Sequence, residues 1–171
     1  PKPSDQTEPE YVTMTVEEAL RLMITISDNY AATLLAEHLG WEKIDDFLEA
    51  QNLASIDLVE KDAPTTTARA TMELLERIYK KTAVDADSST QMLDLLLAQK
   101  TNDRIPKYLP AGTRVGHKTG ELGAVRHDAG IVFGKKSDYI FVFLTETNNT
   151  QEATENIATS SKKIFDALEG Q

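Results

Sequence analysis

Two short polar strings hold the residue types that could do chemistry in this chain. Ser27-Asp28-Asn29 places a hydroxyl, a carboxylate and an amide side by side. Lys118-Thr119-Gly120 follows 91 residues after Ser27 (118 − 27). A lysine, a hydroxyl and a glycine along one strand suit a substrate carboxylate. Lys118 supplies the charge, Thr119 a hydrogen bond, and Gly120 lets another backbone lie close to the strand edge. Each string alone also has a plainer reading. Ser27 or Asp28 can cap a helix at a helical corner, and Lys118 can be a solvated lysine at a strand end.

The flanking pattern shows what must position them. Thr15-Val16-Glu17-Glu18 reads as a capping box opening a helix to about Ile26, with Val16, Ala19, Leu20 and Met23 as its stripe. Ala31, Leu34, Leu35 and Leu39 form a second stripe that Gly40 ends. Ser27-Asp28-Asn29 therefore sits where the chain turns between two helices. Further helices are expected from Trp41 to about Gln51, from Thr67 to about Lys81, from a Ser88–Gln91 capping box onward, and from about Thr150 to the end. Trp41 and Met72 read as core. Residues 52–66 read as a long loop. The period then changes: Arg114–Thr119, about His127–Phe133 and Tyr139–Thr145 read as strands. Helices, then strands, then one helix make an α+β fold. A lead-in loop over 1–12, a mainly helical part over 13–113, and sheet plus final helix over 114–171 are the expected divisions. Tyr139–Leu144 is apolar without alternation, as for a strand covered on both faces.

Composition excludes several functions. Asp and Glu outnumber Lys and Arg by 28 to 18, a formal charge of −10, and no basic stripe offers itself to nucleic acid. The chain has no cysteine, so thiolate metal sites and a cysteine nucleophile are ruled out. His38, His117 and His127 lack metal-ligand spacing, and no glycine-rich phosphate loop occurs. No apolar run is long enough to span a bilayer. No metal or cofactor is expected.

Taken together, the strings are two thirds of a known signature. The sequence resembles the penicillin-recognising serine enzymes, the class A β-lactamases and related D,D-peptidases. Pro64-Thr65-Thr66-Thr67, Leu109-Pro110-Ala111-Gly112-Thr113 and Arg126-His127-Asp128-Ala129-Gly130 share the likeness, which spans Thr13 to Leu168. The resemblance implies that Ser27 relays a proton to the leaving nitrogen and that Asn29 holds the substrate's amide side chain. Asp28 would tie the junction together. Lys118 and Thr119 would bind the substrate carboxylate and lower the Ser27 pKa electrostatically, and the Glu121 backbone N–H would form half of an oxyanion hole. His127, nine residues after Lys118, is a candidate for the substrate edge. It cannot form a relay with Asp128, because strand neighbours point to opposite faces. His117 should face away from Lys118.

Two departures accompany the matches. The family nucleophile belongs to a Ser-x-x-Lys string upstream of Ser-Asp-Asn, and the one such string here, Ser160–Lys163, lies in the last helix. The expectation is a C-terminal part of a longer protein, inactive alone, with the outer edge of Tyr139–Thr145 left to pair with a second copy, a swapped strand or the missing N-terminal part. The lactamase Glu-x-x-Leu-Asn string is also absent from 52–66, where Glu60 and Asp62 are the available carboxylates. Three readings stay open: a lactamase acting on β-lactams, a D,D-peptidase or penicillin-binding protein acting on D-Ala-D-Ala-like amides, and a non-catalytic interaction module. A periplasmic or secreted address is implied by the resemblance.

Overall fold

The computed structural model describes residues 13–58 and 64–170. Glu60 and Asp62, the proposed loop carboxylates, lie outside the described residues.

Helix α1 (Val16–Thr25) starts at Thr15, whose hydroxyl accepts the Glu18 N–H at 3.1 Å. Helix α2 (Asn29–Leu39) starts at Asp28, whose carboxylate accepts the Ala31 N–H at 2.8 Å. Between Asp28 and Ser27, the carboxylate is thus the cap. Helices α3 (Trp41–Ala50), α4 (Ala68–Tyr79) and α5 (Ala86–Leu97) follow. The expected Ser88 start of α5 is corrected: Asp85 is the cap, accepting the Ser88 N–H at 2.7 Å, so the helix begins a turn earlier. An isolated bridge joins Asp57 and Thr65.

Strands β1 (Arg114–Leu122), β2 (Val125–Phe133) and β3 (Asp138–Glu146) form an antiparallel sheet in the order β1-β2-β3. Helix α6 (Thr150–Glu169) closes the chain. Strand alternation sorts the core into two layers. Ala129, Ile131, Ile140 and Val142 meet α4 and α5 through Leu75, Ile78 and Leu96. Val115, Val132, Tyr139, Phe141 and Phe143 belong to the opposite cluster, with Ile157 and Phe165 of α6 and Ile105. The sheet is therefore sandwiched between helices, which accounts for the unbroken apolar run in β3. Among the described residues, β3 pairs with β2 alone and its outer edge has no strand partner.

Two expected core residues are not core. Trp41 and Met72 are each 38% exposed. Helix α3 buries none of its residues, and Met72 lines a shallow apolar groove with Ala68, Arg69, Ile140, Phe141 and Val142. Helical spacing identifies an apolar face but not what covers it. Among the described residues, no helix is long and apolar enough to cross a membrane.

Candidate active site

The turn between α1 and α2 is tight because the Ile26 and Asp28 N–H groups both reach the Leu22 carbonyl, at 3.2 and 3.3 Å. Ser27, between them, takes a left-handed backbone with φ of +57°. Glycine adopts that conformation freely, whereas a side chain there carries strain of about 1–2 kcal/mol. A serine held in it marks a position where the hydroxyl is worth more than relaxed backbone.

The hydroxyl is occupied from across the molecule. Lys118 Nζ donates to Ser27 Oγ and, at 2.7 Å, to the carbonyl of Thr119. The Thr119 hydroxyl stands 3.5 Å from Ser27 Oγ. The two sequence strings therefore meet: a helix corner faces the strand β1. Burial pushes the Lys118 pKa below the usual lysine value, and Arg104 pushes it the same way. Asp128 and Glu121 pull against that shift. An ammonium group so placed can transfer a proton through a hydroxyl and can hold an anion.

The remaining expected residues are placed as follows. Asn29 opens α2 with its side chain exposed and without a hydrogen-bond partner among the described residues. Gly120 pairs with His127 in the β1–β2 register, and a Cβ there would come within 3.2 Å of the His127 Cβ. The missing side chain thus makes room for His127 as well as for anything along the strand. His127 lies on the central strand, one strand in from the β1 edge, and its Nδ1 accepts the Thr145 N–H at 3.0 Å. Glu121 pairs with Arg126 on β2, and its carboxylate receives the Arg104 guanidinium. Ser160 and Lys163 stay on α6, where the neighbouring Ser161 is the buried one, donating to the Ile105 carbonyl at 2.9 Å.

Arg104 and the pairing of His117 with Asp128 were not anticipated from sequence. Arg104 is 1% exposed and also donates to the His127 carbonyl at 3.0 Å. His117 and Asp128, both fully buried, form a pair at 2.9 Å. As expected, His117 faces away from Lys118, and Asp128 bonds His117 instead of its neighbour His127. The signal for this pair was strand register, which cannot be read until the β1–β2 turn is located.

The sequence profile of the β-lactamase enzyme family matches residues 4–168. A β-lactamase of Bacteroides uniformis is 28% identical over 184 residues, covering 91% of this chain and 61% of the relative. The crystal structure of a β-lactamase from Sphaerobacter thermophilus superposes with a TM-score of 0.85 at 25% identity, covering 92% of this chain and 64% of that one. The structure of PBP-A superposes with a TM-score of 0.79 at 27% identity, over 94% of this chain and 63% of that one. A mutant of PBP-A was solved as an acyl-enzyme complex with penicillin G. The chain thus spans about three fifths of the length of these relatives.

Proposed function

Because the chain belongs to the β-lactamase enzyme family, we propose that the full-length protein is a serine hydrolase that opens β-lactam or D-Ala-D-Ala-like amides through an acyl-enzyme. The observation that carries this reading is the bond from Lys118 to Ser27 across 91 residues of chain. Ser27 delivers a proton to the departing nitrogen, with Lys118 as its charged neighbour. Lys118 and Thr119 hold the substrate carboxylate, and Gly120 leaves its backbone room along the edge of β1. The Glu121 N–H contributes one oxyanion donor. Asn29, exposed beside Ser27, binds the substrate's side-chain amide, and His127 backs the strand behind Gly120. Asp28 is structural.

The attacking serine belongs to a part of the protein outside these 171 residues, so the chain alone opens no β-lactam. That remaining part also supplies the strand that pairs with the outer edge of β3, and the full-length protein works in the periplasm or outside the cell. A labelled penicillin tests the reading: full-length protein becomes covalently labelled, and Ser27→Ala slows the labelling.

A peptidase or penicillin-binding reading has one specific support, the absence of a Glu-x-x-Leu-Asn string from 52–66. Without a general base to activate water, an acyl-enzyme persists. Label that stays for hours identifies this reading; rapid release with steady nitrocefin hydrolysis identifies a lactamase.

A further inference from the structure

Residues 99–105 bridge the two halves of the site. The Gln99 amide donates to the Ile24 carbonyl at 2.8 Å, and the Lys100 N–H donates to the Thr25 carbonyl at 2.9 Å. Together they hold the last turn of α1, just ahead of Ser27. Asn102 donates its amide hydrogens to the carbonyls of Gln99 and Lys100, at 3.3 and 3.2 Å. Its Oδ1 is thereby left facing His117 Nε2 at 3.1 Å. On the other side of the ring, His117 Nδ1 meets both Asp128 oxygens, at 2.9 and 3.1 Å. The Ile105 N–H closes the far end of the bridge on Asp128 at 3.0 Å.

The imidazole is thus gripped at both ring nitrogens, by Asn102 on one side and Asp128 on the other. Turning the Asn102 amide over would set its oxygen against two carbonyl oxygens, so these partners fix its orientation. Gly130 packs so closely that a Cβ there would lie 2.5 Å from the His117 Cβ, which leaves the ring little freedom to tilt.

We propose that His117 is a positioning residue that locks the 99–105 bridge to β1 and β2 and thereby sets the Ser27 hydroxyl against Lys118. The idea rests on the reading of Ser27 and Lys118 given above. His117 and Lys118 are strand neighbours on opposite faces, so the strand that presents the ammonium is anchored from behind. Asp128 on β2 is the carboxylate facing the ring; the nearby cations are Arg104 of the bridge and Lys118 itself.

Two measurements on the full-length protein test this. In amide proton–nitrogen NMR spectra, Asn102→Ala should move the Ser27 and Lys118 backbone signals together with those of residues 99–105; unmoved Ser27 and Lys118 signals overturn the proposal. Acylation by fluorescent penicillin should slow about tenfold or more in Asn102→Ala, as small misplacements of reacting groups do, with substrate affinity nearly unchanged. Asn102 is exposed, so this variant keeps the buried pair. His117→Phe should slow acylation further, and His117→Asn, which keeps a donor for Asp128, should recover part of the rate. Asn102→Ala or His117→Phe acylated at the unsubstituted rate overturns the positioning role. No acylation of the unsubstituted protein overturns the β-lactam reading instead, and the amide spectra then decide the positioning role.

Discussion

Lys118 Nζ on β1 donates to Ser27 Oγ at the α1–α2 corner, and it spends a second hydrogen on the Thr119 carbonyl at 2.7 Å. The ammonium is held in mid-strand by the carbonyl of the next residue and aimed at a hydroxyl on a helix corner. Neither string could do this alone, because each sits on a separate rigid support.

The left-handed backbone of Ser27 sets stability against function. Ser27→Gly should be more stable than Ser27→Ala by about 1 kcal/mol, since both lose the hydroxyl but only glycine relaxes the strain. Urea titration of the two variants checks this. Equal stabilities would mean that φ of +57° carries no strain.

Lys118 should destabilise the fold at neutral pH. Its native pKa is held below the ordinary 10.5, chiefly by burial. Below the native pKa both states are protonated and the full cost is present. Between the native and unfolded values the unfolded chain holds the extra proton, so stability rises with pH. Lys118→Met removes this rise. The stability difference between the protein and the variant should therefore narrow as pH climbs towards 10.5, and a difference that does not change with pH contradicts the assignment.

Tyr139 should act in the opposite sense. Its hydroxyl is buried without a partner among the described residues, and burial, with the Glu169 carboxylate assisting, pushes its pKa from 10.0 up to about 12. In that interval the native state keeps a proton that the unfolded chain has lost, so stability falls as pH rises from 10 towards 12. Tyr139→Phe should abolish that fall and, by removing an unsatisfied buried group, stabilise the fold by about 1 kcal/mol at neutral pH. Thermal melts of both proteins across this range are the check.

Gly130 should tolerate no side chain. An added Cβ would lie 2.5 Å from the His117 Cβ and 2.8 Å from the Gly116 carbonyl oxygen. Gly130→Ala should cost about 2–3 kcal/mol, as overpacking does, and a denaturant midpoint close to the unsubstituted protein's would show that β1 and β2 can separate there.

The elements of the fold were legible because their signals are local. Thr15, Asp28 and Thr67 cap helices through side-chain bonds three residues away, and the change of hydrophobic period near Arg114 marks the sheet. Ser27 and Lys118 were legible as a pair only through the family signature, since nothing within either string points to the other. Arg104 and the His117–Asp128 pair were not legible. Arg104 sits in an irregular connection between Gln99 and Thr113, where no period distinguishes a buried arginine from a solvated one. The His117–Asp128 bond joins neighbouring strands, so a one-residue error in register would have separated the two side chains. Trp41 and Met72 failed for a different reason: their spacing is that of an apolar face, and the described residues leave both half open.

The central claim is that the Ser27 hydroxyl and the Lys118 ammonium form one substrate groove. Mass spectrometry of the full-length protein after incubation with benzylpenicillin tests it most directly. The account predicts an adduct of the intact β-lactam's mass, formed much more slowly in both Ser27→Ala and Lys118→Ala. An adduct that forms at the same rate in all three proteins, or neither an adduct nor benzylpenicillin hydrolysis in any of them, would contradict it.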